Sequence, residues 1–116
     1  MTFTRLLIFA LLAIVAWRLL TVDVDSVEAR DISAEHDVVF FTAPWCGYCD
    51  QARDYLDETG VDYLEIDVEA STVNNRQFQE VNGRGVPLIF IGETRMAGFS
   101  PQAYGRALEG LQATRP

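Results

Sequence analysis

From Leu6 to Trp17 every residue is apolar, with Arg5 before the run and Arg18 after it. A helix that is apolar on all sides has no polar face to turn to water. Phe3 to about Val22 is long enough to cross a bilayer as a helix, and this reading is preferred to a buried amphipathic helix. Residues 23–36 then become acidic and short of large apolar side chains, as in a linker. Beyond them the pattern shortens and alternates. Val38–Thr42 is a continuous β-branched and aromatic run, which predicts a strand buried on both faces. A helix beginning near Asp50 puts Cys49, Ala52 and Leu56 on one stripe and Asp50, Asp54, Asp57 and Glu58 on the other, and Gly60 supplies its stop.

Tyr63–Val68 alternates as a second strand. Ser71 can cap a helix running to Asn82, with Val73, Phe78 and Val81 turned inward and Gly83 ending it. Leu88–Ile91 is another apolar strand, Gly92-Glu93 a tight turn, and Thr94–Ala97 a short return strand. Ser100-Pro101 combines an N-cap with proline at the first helical position. The helix that follows carries Ala103, Tyr104, Ala107, Leu108 and Leu111 on one face. The predicted order is β-α-β-α-β-β-α. A right-handed crossover makes the first two strands parallel, while the closing hairpin is antiparallel. The fold class is therefore α/β, a mixed four-stranded sheet with helices on both faces, preceded by one N-terminal hydrophobic helix. The chain divides into an N-terminal signal anchor or transmembrane helix (1–22), an acidic linker (23–36) and a domain (37–116).

Charge sharpens this division. Of 17 acids, 14 lie in residues 23–69 beside Arg30 and Arg53, a balance of −12, whereas residues 70–116 hold three acids and five arginines, a balance of +2. Such an acidic half opposes phosphate backbones and argues against nucleic-acid binding. The chain has no lysine, and all nine of its fixed cations are arginine. Arg5 precedes the apolar run, while Asp23, Asp25, Glu28 and Asp31 follow it. The positive-inside bias therefore predicts a cytoplasmic N-terminus and a domain on the far side, the periplasm in a bacterium. The alternative is a cleaved signal peptide, with Val27-Glu28-Ala29 as the small-residue site, leaving a soluble periplasmic domain.

The chemistry rests on Cys46-Gly47-Tyr48-Cys49, which contains both cysteines of the chain. Two thiols at this spacing can pair. Their place between a strand and a helix reads as a redox couple rather than half a zinc site. Zinc would need two further ligands, and the only histidine, His36, falls in the linker. An inert disulfide here would close too small a loop to stabilise much. Cys46 falls at the N-terminal end of the helix, where unpaired N–H groups and the macrodipole favour a thiolate; Cys49 falls one turn later on the inward stripe. Cys46 is thus the expected attacker and Cys49 the resolving thiol.

Thr42-Ala43-Pro44-Trp45-Cys46-Gly47-Tyr48-Cys49, with Gly85-Val86-Pro87 and Gly98-Phe99-Ser100 later in the chain, resembles the glutaredoxin family of the thioredoxin-like superfamily. The likeness covers about residues 37–111. It implies a thioredoxin-like fold and thiol–disulfide exchange on disulfide-bearing or glutathionylated proteins. Glutathione would be co-substrate, no cofactor would be tightly bound, and the protein would act as a monomer. By the same resemblance Tyr48 flanks the glutathione sulfur, Val86 precedes a cis-Pro87 and offers its backbone to substrate, and Gly98, Phe99 and Ser100 hold the γ-glutamyl end. The sequence departs from the family where Ala97 precedes Gly98, where Ser100-Pro101 replaces common acids, and where Ala43-Pro44 stands in place of a frequent lysine. Arg84 and Arg76 are then the candidate cations for glutathione carboxylates. Ala43-Pro44-Trp45-Cys46-Gly47 also looks like thioredoxin, so a redox protein serving a dedicated partner without glutathione is the alternative. A [2Fe–2S] carrier using Cys46 is a third reading.

Overall fold

Two apolar strand segments, one alternating segment and one mostly exposed one pair into a sheet in a computed structural model that describes residues 2–20 and 27–113. Strands β1 (Val38–Thr42), β2 (Leu64–Asp67), β3 (Leu88–Ile91) and β4 (Thr94–Ala97) lie in the order β2-β1-β3-β4. β1 runs parallel to β2 and antiparallel to β3, and β3–β4 is the antiparallel hairpin. All five residues of β1 are buried because strands flank it on both edges and helices cover both faces. β4, at an edge, is mostly exposed and can carry Thr94 and Arg95. The predicted strand at Tyr63–Val68 is shorter, Leu64–Asp67.

The helices are α1 (Thr2–Leu20), α2 (Ala29–Ile32), α3 (Gly47–Thr59), α4 (Thr72–Glu80) and α5 (Pro101–Ala113). Register assigns the last three to faces. Phe41, Phe90 and Arg95 point to one side, where Phe41 meets Phe78 of α4 at 5.6 Å between ring centroids. Glu65 points to the other, where Arg53 of α3 reaches it at 2.6 Å. On that side also Tyr55 of α3 meets Tyr104 of α5 edge-on, at 6.1 Å between ring centroids. The buried aromatic and aliphatic side chains of β1 and β3 are each worth about 1.5–3 kcal/mol of transfer free energy, so this two-sided cover dominates stability.

Three expectations need correction. Val73 is exposed rather than inward. At 3.6 residues per turn it stands about 140° around α4 from Phe78, so the two cannot share a face. Asn74 takes the inward place and donates to the Asp67 carbonyl at 2.9 Å. α4 also stops at Glu80. Asn82 adopts the left-handed conformation at φ 57°, and Gly83 donates back to the Phe78 carbonyl at 2.9 Å, a Schellman-type ending. Gly83 serves close packing instead, since a Cβ there would fall 2.2 Å from the Phe78 ring.

The third correction concerns the linker. Ala29 is fully buried, with Val27 and Ile32 packed on the core. Arg30 pairs with Asp37 at 2.7 Å, and His36 bonds to Ser33 at 2.9 Å rather than standing free. The packed unit therefore begins at or before Val27, not at Asp37. Residues 1, 21–26 and 114–116, which include the expected end of the membrane segment, Asp23 and Asp25 of its acidic flank and the last residues of the domain, lie outside the described residues. α1 buries none of its side chains, and among the described residues it is the one helix long and apolar enough to cross a membrane.

Candidate active site

β1 delivers the chain to the redox pair. After Thr42 the buried Ala43 accepts a hydrogen bond from the Cys46 N–H at 3.2 Å, and this turn places Cys46 as the N-cap of α3. Its Sγ accepts the Cys49 N–H at 3.1 Å, as a serine or aspartate oxygen would at a cap. A sulfur there sits against the unpaired N–H groups of a 13-residue helix, where negative charge is favoured. Cys46 and Cys49 are joined as a disulfide, with Cα atoms 5.2 Å apart. Cys46 keeps slight exposure and Cys49 has none, as expected for attacker and resolver.

Asp50, in the first turn, would oppose charge at Cys46. Arg53 answers it at 2.8 Å while holding Glu65 at 2.6 Å. The two carboxylates raise the Arg53 pKa, through the Glu65 hydrogen bond first and the Asp50 bond second. Trp45 and Tyr48 flank Cys46 in sequence and are both largely exposed. The Trp45 indole donates to Glu69 at 2.8 Å.

A second constellation forms at the same end of the sheet, because Leu88 pairs with Phe41. The Val86–Pro87 peptide is cis. The Pro87 carbonyl accepts the Gly98 N–H at 2.9 Å, so the proline loop and the Gly98 turn are fastened together. Gly98 needs its lack of side chain, since φ is 85°. The Tyr104 hydroxyl donates to the Gly98 carbonyl at 2.7 Å, and burial pushes the Tyr104 pKa up. Phe99 packs edge-on against Tyr55 and Tyr104, and Ser100 caps α5 by accepting from Ala103 at 3.3 Å. The Ser100 cap is the one the sequence predicts, whereas the packing of Phe99 against two tyrosines is a structural task that sequence reasoning did not assign to it.

Arg84, Val86, Pro87 and Gly98 line one cavity of about 370 Å³ together with Arg95. No carboxylate lines it. Arg84 is exposed and forms no ion pair among the described residues. Arg95, missed in the sequence because an edge-strand arginine reads as an ordinary surface charge, lies 5.4 Å over the Phe90 ring. Its guanidinium donates to the Val81 carbonyl and, at 3.2 Å, to the Asn82 carbonyl. Arg76 lies exposed on α4 and Tyr48 on α3, and neither lines the cavity. Among the described residues no cluster of His, Cys, Asp or Glu is placed to hold a metal ion.

The comparisons with known proteins agree with this geometry. The family model described as glutaredoxin matches residues 38–96. A glutaredoxin of Neisseria meningitidis serogroup A is 43% identical over 65 residues, covering 54% of this chain and 76% of the relative. Among solved structures, a glutaredoxin from Archaeoglobus fulgidus superposes with a TM-score of 0.61 at 16% identity, over 68% of this chain and 92% of that one. A buckwheat glutaredoxin–glutathione complex superposes with a TM-score of 0.58 at 22% identity, over 73% of this chain and 84% of that one. At these identities the two structures speak for the thioredoxin-like fold.

Proposed function

The chain belongs to the glutaredoxin family and is a thiol–disulfide oxidoreductase, and we propose that it reduces protein disulfides and glutathione mixed disulfides by dithiol exchange, with glutathione as electron donor. The observation that carries this is the Cys46 Sγ at the N-cap of α3, accepting the Cys49 N–H and joined to Cys49. The Cys46 thiolate attacks one sulfur of the substrate disulfide. That bond breaks, the other sulfur leaves as a thiol, and a mixed disulfide forms on Cys46. Cys49 then attacks the Cys46 sulfur and releases the second thiol. Two electrons have passed to the substrate, and the Cys46–Cys49 bond holds the oxidised state. Two molecules of reduced glutathione restore the dithiol by the reverse exchange and leave as glutathione disulfide.

The glutathione part of the reading is supported by the acid-free cavity beside Val86-Pro87, whose Arg84 and Arg95 suit a peptide carrying carboxylates. Arg76, outside that cavity, is not assigned a role. The buckwheat relative in complex with glutathione points the same way. The test is a glutathione-linked disulfide assay on the full chain in detergent. Turnover with reduced glutathione that disappears in Cys46→Ser supports the reading. No turnover with glutathione, while the prereduced chain still reduces a protein disulfide, would favour a dedicated protein partner instead.

We further propose that α1 anchors the protein in a membrane with the N-terminus cytoplasmic and the redox domain on the opposite, periplasmic side. The support is its length, its surface, which is apolar on all sides from Leu6 to Trp17, and the charge asymmetry of its flanks. Protease added outside spheroplasts should remove the domain; a protected domain would reverse the orientation.

A further inference from the structure

Arg95 stands on the edge strand β4, where an arginine ordinarily extends into water. Its register partner is Phe90, so it rises on the face that α4 covers. There its guanidinium lies 5.4 Å over the Phe90 ring and turns its donors on the end of α4. One terminal nitrogen donates to the Val81 carbonyl and the other, at 3.2 Å, to the Asn82 carbonyl. Val81 is the C-cap of α4, and a carbonyl at that position has no N–H partner within its own helix. Asn82, at φ 57°, then turns the chain out of the helix toward Arg84, Val86 and Pro87.

The loop that follows is held at its two ends. Among the described residues Arg84, Gly85 and Val86 make no backbone hydrogen bond. Beyond them the Pro87 carbonyl is fastened to the Gly98 N–H at 2.9 Å. Before them the turn is fixed by Arg95 and by the Gly83 N–H, which donates to the Phe78 carbonyl. Arg84 lines the acid-free cavity and has no ion pair among the described residues.

Resting on the glutathione reading, we infer that Arg95 is a positioning residue of the substrate groove and acts through Arg84. Arg95 spends donors on two carbonyls of the turn. This fixes the path of the loop, and with it the place from which Arg84 meets a glutathione carboxylate. The guanidinium is needed for the task, because its planar fork reaches both carbonyls at once. A lysine ammonium brings the same charge without that geometry. An arginine that served only by its charge would be replaceable by lysine.

The test is a double-mutant cycle on the full chain in detergent, with the mixed disulfide of glutathione and a short neutral peptide as the probe. Arg95→Lys should raise KM about threefold to tenfold and leave kcat within about twofold. Introduced into Arg84→Ala, the same change should raise KM by less than about twofold, because the group it positions is already gone. Arg95→Gln, with a shorter reach, should show the same non-additivity, and it stands in if the lysine variant does not fold. A native KM in Arg95→Lys would overturn the inference, whether kcat holds, so that charge alone suffices, or falls, so that Arg95 serves only the fold. Effects on KM that multiply in the double variant would overturn it as well. No turnover of the probe by the native chain would overturn the glutathione reading, and this inference with it.

Discussion

The two ends of the sheet are built from similar material and left in opposite states. At the Ala29–Gly92 end the backbone groups satisfy one another, a small side chain fills the core, and Arg30 and Asp37 are paired. At the Cys46 end a helix N-terminus is capped by a sulfur, two aromatic side chains stand exposed, and Arg84 has no carboxylate beside it. The first arrangement holds the domain together and fixes where the chain enters. The second leaves positive potential and apolar surface unspent around a thiol. The contrast separates substitutions that should alter stability from those that should alter chemistry.

Cys46→Ser should break the comparison most severely. It should lower disulfide turnover by at least about a thousandfold while leaving the thermal midpoint of the reduced domain within a few degrees. Ala29→Leu strikes the opposite end. Overpacking the closed pole should destabilise the domain by about 1–3 kcal/mol in denaturant titration, with turnover per folded molecule unchanged. Arg84→Ala should raise KM for a glutathione mixed disulfide about threefold to tenfold with little change in kcat, a difference that shrinks as salt is added. An unchanged KM would remove Arg84 from the substrate groove.

The smallest expected effect is alkaline. Burial and the hydrogen bond to Asp57 push the Tyr63 pKa up from 10.0 to about 12. The fold favours the protonated phenol, so this contribution is complete below pH 10 and is lost as pH rises toward 12. Stability measured across that window should fall less steeply in Tyr63→Phe than in the native chain. Equal slopes would show that Tyr63 does not carry the loss.

The sequence revealed most where the physics is local. The run Val38–Thr42, the caps at Ser71 and Ser100 and the stop at Gly60 each follow from a few neighbouring residues, and each is present. The redox pair was legible for the same reason, because the turn that makes Cys46 an N-cap lies within its own motif. Features set by distant partners were hidden. Ala29 reads as linker because its neighbours are acidic, and its burial depends on Gly92 much later in the chain. Arg95 reads as an edge-strand charge until α4 is seen to end against it. Phe99 and Tyr104 form one aromatic cluster with Tyr55, although two separate helices and a loop supply them. Val73, five residues before Phe78, lies about 140° from it around α4, so its exposure follows from helical geometry alone.

The central claim is that position at the cap makes Cys46, and not Cys49, the reacting thiol. Brief treatment of the reduced full chain with a limiting alkylating agent at neutral pH, followed by peptide mass analysis, tests it directly. The account predicts that Cys46 is modified at least about tenfold faster than the buried Cys49. Equal modification of the two thiols, or faster modification of Cys49, would contradict it.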